Sequence, residues 1–223
     1  MKATLTLFLF VLIGTGSAIF SQTVTIGTQV WMTKNLDVAT FRNGDPIPQA
    51  KTIEEWMEAG KNEQPAWCYY ENDIANGAKY GKLYNWYAVN DSRGLAPSGY
   101  HVSTDAEWTK LTDYLELDDT IDVSKSIDIN YILGENAAGD KMKSTNGWAE
   151  NGNGTNESGF FGLPGGGLDS GEFNLIGETG VWWSSTEDDT GNAWCRFLFY
   201  DNGFVGRYYG VKKSGFSVRC VKD

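Results

Sequence analysis

The sequence predicts an α+β domain in which a few short helices pack on a small, loop-rich antiparallel sheet. Three observations support this prediction. Helix start signals are few, the last third of the chain alternates short β-rich runs with turn residues, and the middle is rich in glycine and asparagine. The 223 residues suffice for one hydrophobic core, and no stretch has the composition of a linker. Residues 22–223 are therefore interpreted as a single domain.

Residues 1–21 are predicted to be a secretory signal peptide. Lys2 gives a short positive start, and the apolar run from Leu5 to Ile13 is too short to span a bilayer as a helix. Cleavage is expected after Ala18 or after Ser21. We therefore expect an extracytoplasmic chain, in the periplasm, at the cell surface or secreted, without insertion into a membrane.

The charge balance restricts the class of partner. The formal net charge is −11, with 29 acidic and 18 basic residues. Such a surface repels the phosphates of nucleic acids and the headgroups of anionic lipids. Nucleic acid is thus excluded as an expected partner, and solvation is the plainest role for most of the acids.

The first predicted helix begins at residue 52. Thr52 and Glu55 stand three residues apart, which is the spacing of a capping box. Ile53, Trp56 and Met57 form an apolar stripe behind the cap, and a glycine at 60 marks the end of the helix.

The second predicted helix follows the only histidine, His101. Thr104 and Glu107 form another capping box, and Asp105 lies in the first turn, where the helix dipole favours an anion. Apolar side chains then recur at helical spacing, namely Trp108, Leu111 and Leu115. Since no second imidazole or thiol stands at ligand spacing, His101 is assigned a structural role in an extended segment, and no metal site is predicted.

β-rich runs occupy both ends of the domain. The first spans residues 23–31 around a turn at Gly27, and the last four form a predicted C-terminal meander over 181–185, 193–200, 204–209 and 216–221. Asn202-Gly203 predicts a two-residue hairpin loop, which pairs Phe197 with Tyr208. In that register one strand face points inward, with Cys195, Phe197 and Phe199. The opposite face carries Trp194, Arg196, Leu198 and Tyr200.

The cysteines are Cys68, Cys195 and Cys220, and no two have CxxC spacing. A zinc site or a thioredoxin-like motif is therefore not indicated. An oxidising compartment favours one disulfide and leaves one thiol unpaired.

Several blocks resemble a known family. They include "IGTQVWMTKNLDV" (26–38), "AWCYYEND" (66–73), "YGKLYNWYAV" (80–89), "GLAPSGYHVSTDAEW" (94–108), "NESGFFGLPGG" (156–166) and "GFSVRCVKD" (215–223). In this order they resemble the Fibrobacter succinogenes major paralogous domain family. "HVSTDAEW" and "GFSVRC" are also similar to blocks of the formylglycine-generating enzymes. That similarity implies a C-type-lectin-like fold with the chain ends close together.

The resemblance also favours one cysteine pairing. Cys68 and Cys220 lie in blocks of the family pattern and Cys195 does not, which implies a Cys68–Cys220 disulfide and a buried free thiol at Cys195. Pairing of Cys195 with Cys220 remains the alternative.

The leading functional hypothesis is a non-catalytic binding or adhesion module for a glycan or a surface protein. Nine tryptophans and eleven tyrosines offer planar faces to sugar rings, and oxygen-bearing loops offer hydrogen bonds or ligands for calcium, which has no assigned site. The candidate ligand-binding residues are Trp182, Trp183, Glu187, Asp188, Trp194, Arg196, Arg207 and Tyr209.

Two other hypotheses stay open. The chain resembles the formylglycine-generating oxidases, whose chemistry would use Cys195 and Cys220 with copper. No catalytic segment aligns residue by residue, so no catalytic residue is assigned and a non-enzyme is expected. A structural subunit of a surface assembly is the third hypothesis.

Overall fold

The structure is a computed structural model that describes residues 22–117 and 138–223. The predicted signal peptide at 1–21 lies outside the described residues. Within the described ranges, no helix is both long enough and apolar enough to cross a membrane.

The helices are short, as the α+β prediction requires. They are α1 (Ile53–Lys61), α2 (Ile74–Tyr80), α3 (Trp86–Val89), α4 (Asp105–Leu117) and α5 (Ala138–Met142), with 3-10 turns at Tyr70–Asn72 and Ala149–Asn151. The predicted capping box at α4 is confirmed in both halves, whereas at α1 only the bond to Thr52 is present and the Glu55 carboxylate accepts from the Lys51 amide at 2.6 Å. The Glu55 amide donates to Thr52 Oγ1 at 3.2 Å, and the Glu107 amide donates to Thr104 Oγ1 at 3.2 Å. Glu107 reciprocates, since its Oε2 accepts from the Thr104 amide at 2.8 Å.

The strands form two main sheets and one small pair. In chain order they are β1 (Thr23–Ile26), β2 (Gln29–Met32), β3 (Trp67–Cys68), β4 (Leu83–Tyr84), β5 (Tyr100–Val102), β6 (Gly165–Asp169), β7 (Glu172–Ile176), β8 (Thr179–Glu187), β9 (Asn192–Phe199), β10 (Val205–Val211), β11 (Ser217–Val218) and β12 (Cys220–Lys222). The four-stranded sheet has the order β1-β2-β12-β5, so the first and last strands of the domain share one sheet. Strands β3 and β4 pair separately.

The second sheet has six strands and contains the predicted meander. Its order is β10-β9-β8-β6-β7, and β8, β9 and β10 run antiparallel in sequence. The sheet is mixed rather than purely antiparallel, because β6 and β11 each pair with β8 in parallel.

The last predicted strand, 216–221, is divided between the two sheets. Its first half is β11 and its second half is β12, and the chain crosses over at Arg219. The buried guanidinium donates to the carbonyl oxygens of Met32 and Phe160 at 2.9 and 2.6 Å and to Asn35 Oδ1 at 2.8 Å. These bonds fix the crossing point, and a continuous meander strand was therefore the wrong prediction.

The β9–β10 register differs by two residues from the predicted one. Phe197 faces Gly206 and Cys195 faces Tyr208, because the loop is longer than two residues. Asn202 Oδ1 accepts from the Phe204 amide at 3.0 Å within that loop. Since the shift is even, the predicted division of β9 into two faces is retained.

Both faces of β8 and β9 are covered, which the sequence did not indicate. Trp182 packs with Trp31, Trp108 and Phe160 on one side of the sheet, and Trp183 packs with Phe216 on the other. Each indole nitrogen has an internal acceptor, Asn35 Oδ1 for Trp182 and the Tyr84 carbonyl for Trp183. Both tryptophans, which the sequence analysis names as candidate ligand-binding residues, are fully buried.

The predicted Cys68–Cys220 disulfide is wrong, since all three thiols are unpaired and buried. Cys68 packs in the cluster around Trp56, whereas Cys195 and Cys220 belong to a different cluster. The buried free thiol predicted at Cys195 is present, and its Sγ donates to the Tyr208 carbonyl at 3.4 Å. Burial raises the pKa of the Cys195 and Cys220 thiols to about 12 and also raises the pKa of Cys68.

Candidate binding site

His101 lies between two carboxylates. Its Nε2 is 2.7 Å from Glu107 Oε1, and its Nδ1 is 2.8 Å from Asp223 Oδ1. Burial lowers the histidine pKa, but hydrogen bonds and charge from Asp223 and Glu107 outweigh it, so the pKa is raised. This bridge joins β5, the start of α4 and the C-terminal residue, a structural arrangement like the one assigned to His101 from sequence.

Asp105 forms ion pairs with two arginines, Arg196 and Arg207. Its carboxylate accepts from Arg196 Nη1 at 2.7 Å and from Arg207 Nη2 at 2.9 Å. Burial raises the pKa of Asp105, and the bonds to Arg207 and Arg196 more than compensate, so that its pKa is lowered. The side chain of Arg196 is only 3% exposed, so the outward position expected for it was wrong. The cause is α4, which covers that face of β9.

Three of the candidate residues meet on β9 and β10, on the same face as Arg196 but at its partly exposed margin. Tyr209 faces Trp194 across the two strands, and the Arg207 guanidinium lies 3.4 Å above the centroid of the Trp194 ring. Tyr209 is 63% exposed. Because the Arg207 guanidinium covers one face of the Trp194 ring, a sugar ring can stack on that face only after the guanidinium moves.

Glu187 and Asp188 lie at the end of β8 and in the turn after it. The Glu187 carboxylate pairs with Lys212, whose ammonium also lies 4.8 Å from the centroid of the Trp86 ring. Asp188 is exposed. Trp182, Trp183 and Arg196 are buried, so of the eight candidates these three have no surface to offer a ligand.

A concave site lies elsewhere, in a cleft of about 490 Å³. Three segments form its walls: the chain after β2, the C-terminal end of α2, and the glycine-rich loop at 156–163. The volume is within the usual range for small-ligand sites. The lining residues include Thr33, Lys34, Asn35, Asp37, Lys79, Tyr80, Asn156 and Phe161.

Phe161 gives the cleft an exposed aromatic ring. Its neighbour Phe160 is fully buried against Trp31, Trp108 and Trp182, whereas Phe161 is 37% exposed. The backbone of Phe161 has φ of +57°, a region that bulky L-residues avoid. Its amide donates to Asn156 Oδ1 at 2.8 Å, and that bond holds the conformation.

The charges at the cleft are not balanced. Asp37 lines it but is already paired with the buried Lys82. Lys34 and Lys79 line it and have no carboxylate partner among the described residues; the ammonium of Lys79 lies 4.7 Å from the centroid of the Tyr80 ring. Two positive side chains thus face the cleft in an otherwise acidic protein.

Comparison with known families gives a match over nearly all of residues 22–223. The sequence model of the Fibrobacter succinogenes major domain matches residues 24–222. The chain belongs to this family. No curated protein and no solved structure matches the chain significantly. The family name carries no functional information, so the function has to be inferred from the site.

The described part of this Fibrobacter succinogenes major domain contains no cluster of side chains suited to a metal ion. Across residues 22–117 and 138–223, no group of three or more His, Cys, Asp or Glu side chains is arranged to hold a metal ion. Three carboxylates near the candidate residues, those of Asp105, Glu107 and Glu187, are paired with Arg196, His101 and Lys212. The calcium suggested from sequence therefore has no assigned residues.

The sequence did not identify Phe161, Lys34 or Lys79 as site residues. One signal was present: two adjacent phenylalanines in "NESGFFGLPGG" cannot both be buried easily in so polar a loop. Which ring is exposed depends on packing with Trp31 and Trp108, and both are distant in sequence. The two lysines come together only through the fold.

Proposed function

We propose that this domain is a non-catalytic, extracytoplasmic binding module that takes an acidic saccharide into the cleft bordered by Phe161, Lys34 and Lys79. The observation that carries the proposal is the exposed Phe161 ring, held at positive φ over a concave site. The carbohydrate hypothesis is thereby kept, and its location moves from the β9–β10 surface to the cleft.

The strained backbone at Phe161 supports a functional role. Holding a non-glycine residue in this region costs on the order of 1–3 kcal/mol, and such strain clusters at ligand sites. A glycine at position 161 would adopt this conformation without that cost, and the same loop already has glycines at positions 159 and 162. An exposed aromatic face is suited to the apolar face of a sugar ring.

The polar groups of the cleft favour an anionic ligand. Lys34 and Lys79 can each donate charge-assisted hydrogen bonds to a carboxylate, which are stronger than neutral ones. The Asn156 Oδ1 accepts from Phe161, which leaves its amide nitrogen to donate to a sugar hydroxyl. A uronic acid offers a ring, hydroxyls and a carboxylate together.

A C-type-lectin-like fold is part of the proposal. Two features support it: β1 and β12 lie in the same sheet, and long loops carry much of the polar surface. In that interpretation the four-stranded sheet holds the first and last described strands together, and the long loops form the binding site.

The state of the cysteines weighs against the oxidase hypothesis. Metal binding and nucleophilic attack both need a thiolate that the solvent can reach. Cys195 and Cys220 are fully buried, and burial raises the pKa of both thiols to about 12. A copper-dependent thiol chemistry would require these side chains to leave the core.

The test is a glycan array probed with the mature domain, with and without a chelator. We expect signals on uronic-acid glycans that persist in chelator and that fall for Phe161→Ala. Phe204→Ala is the matched control, because Phe204 is another exposed phenylalanine outside the cleft. Absence of glycan binding, or equal losses in the two variants, would reject the proposal.

A further inference from the structure

Strand β10 is an open edge of the six-stranded sheet. Among the described strands it pairs with β9 alone. Edge strands are normally protected from pairing with other chains by charged side chains, especially lysine, or by proline, bulges or short length. The seven residues of β10, "VGRYYGV", contain no lysine or proline, and their one charge, Arg207, is already paired with Asp105. Tyr208 and Tyr209 on it are 52% and 63% exposed.

The sequence of this edge reads almost the same in both directions. About Tyr208 as centre, Val205 corresponds to Val211, Gly206 to Gly210 and Arg207 to Tyr209. Antiparallel strands related by a two-fold axis pair residues in just this way. A second copy of β10 would therefore place each residue of the strand opposite a suitable partner.

The pairs fall on two faces. On the face towards α4, valine meets valine at both ends, and Tyr209 of each copy lies opposite Arg207 of the other, whose guanidinium stays on Trp194 and Asp105 of its own copy. The Tyr209 ring can then pack against the aliphatic part of that arginine. On the opposite face the two Tyr208 rings meet at the axis, flanked only by glycines, so no side chain obstructs them.

We infer that two copies of this domain associate through antiparallel pairing of their β10 strands about Tyr208. The occupant of the edge is a second copy because the side chains along the strand match one another about Tyr208, valine with valine and glycine with glycine. The pairing also joins two clefts in one particle, which raises avidity for a polymeric ligand. The inference does not depend on the identity of that ligand.

The experiment combines oligomeric state with two opposite charge changes at one exposed position. In sedimentation equilibrium we expect wild-type protein to shift from monomer to dimer as its concentration rises. Tyr209→Lys places a lysine opposite Arg207 of the other copy and should weaken the dimer at least tenfold. Tyr209→Glu places a carboxylate opposite that arginine and should keep the dimer at least as stable. Thermal unfolding checks that both variants fold.

A cross-linking variant tests the register. Tyr208→Cys sets two thiols directly opposite at the axis, and mild oxidation should give a covalent dimer. Ile74→Cys is the control, since Ile74 on α2 is 75% exposed and remote in sequence from β10, and it should stay monomeric. The inference would be overturned if the protein stayed monomeric at all concentrations or if Tyr209→Lys and Tyr209→Glu had the same effect on the dimer. It would also be overturned if Tyr208→Cys cross-linked no more than Ile74→Cys.

Discussion

Phe160 and Phe161 are adjacent in the chain, yet one ring is fully buried and the other projects into a cleft. The guanidinium of Arg219 lies 4.2 Å from the Phe160 ring centroid and also donates to the Phe160 carbonyl at 2.6 Å. These contacts anchor Phe160. Beside this anchor, Phe161 has φ of +57°, and the bond from its amide to Asn156 Oδ1 holds that conformation.

Substitution of the two phenylalanines should therefore have opposite consequences. Phe160→Ala empties a tightly packed site and should lower the free energy of unfolding by about 3–5 kcal/mol. Phe161→Gly relieves the strained φ, which offsets the lost contacts and the greater freedom of the unfolded chain. We expect a change within about 1 kcal/mol in urea denaturation, together with weaker glycan binding. A large loss of stability for Phe161→Gly would show that the ring is structural.

The capping box of α4 predicts a modest and specific loss. Thr104→Ala removes the acceptor of the Glu107 amide and should lower the free energy of unfolding by about 1 kcal/mol. Thr104→Ser keeps the hydroxyl and should stay close to wild type. Both are measured by urea denaturation, and an equal loss in the two variants would assign the effect to the methyl group.

His101 should stabilise the domain most in mildly acidic solution. Its pKa is raised in the folded state, so the contribution is complete below the unfolded value of about 6.5 and disappears as pH rises through the folded value. His101→Gln should lower the free energy of unfolding at pH near 6, by less than about 1 kcal/mol because the ring is partly exposed. At pH near 9 the loss should be smaller. Glycan binding should be unchanged; abolished binding in a folded variant would contradict the structural role.

Asp105 neutralises a buried arginine, and its removal should be costly. Asp105→Asn leaves Arg196 without its carboxylate and should cost about 3 kcal/mol at neutral pH. The pKa of Asp105 is lowered, so this contribution is present above the unfolded value of about 3.9 and is lost as pH falls through the folded value. Asp188→Asn, at an exposed carboxylate, is the control and should be neutral. Equal unfolding curves at neutral pH would refute the role.

Local signals in the sequence predicted local structure well. Thr52 and Thr104 place the starts of α1 and α4, because a threonine side chain can cap the amide three residues on without help from the rest of the chain. The meander of β8 to β10 follows from β-rich runs and turns for the same reason. The family match has the same origin, since it rests on blocks quoted directly from the sequence.

Features set by distant contacts were not predictable. Trp182 and Trp183 are both buried because β8 lies between two core clusters, and alternation along one strand cannot reveal cover on both faces. Cys68 and Cys220 were paired by their places in the family pattern, but packing puts them in different clusters. The cleft is built from three segments far apart in the chain, so its lysines carry no local signature.

The central claim is that the cleft binds an acidic saccharide, and calorimetric titration tests it most directly. Wild-type domain and the double variant Lys34→Gln/Lys79→Gln are titrated with a uronic-acid oligosaccharide and with its neutral hexose counterpart. We predict that wild type binds the acidic sugar at least tenfold more tightly, which is a difference of about 1.4 kcal/mol, and that the double variant binds both alike. Equal affinities in wild type, or an unchanged preference in the double variant, would contradict the account.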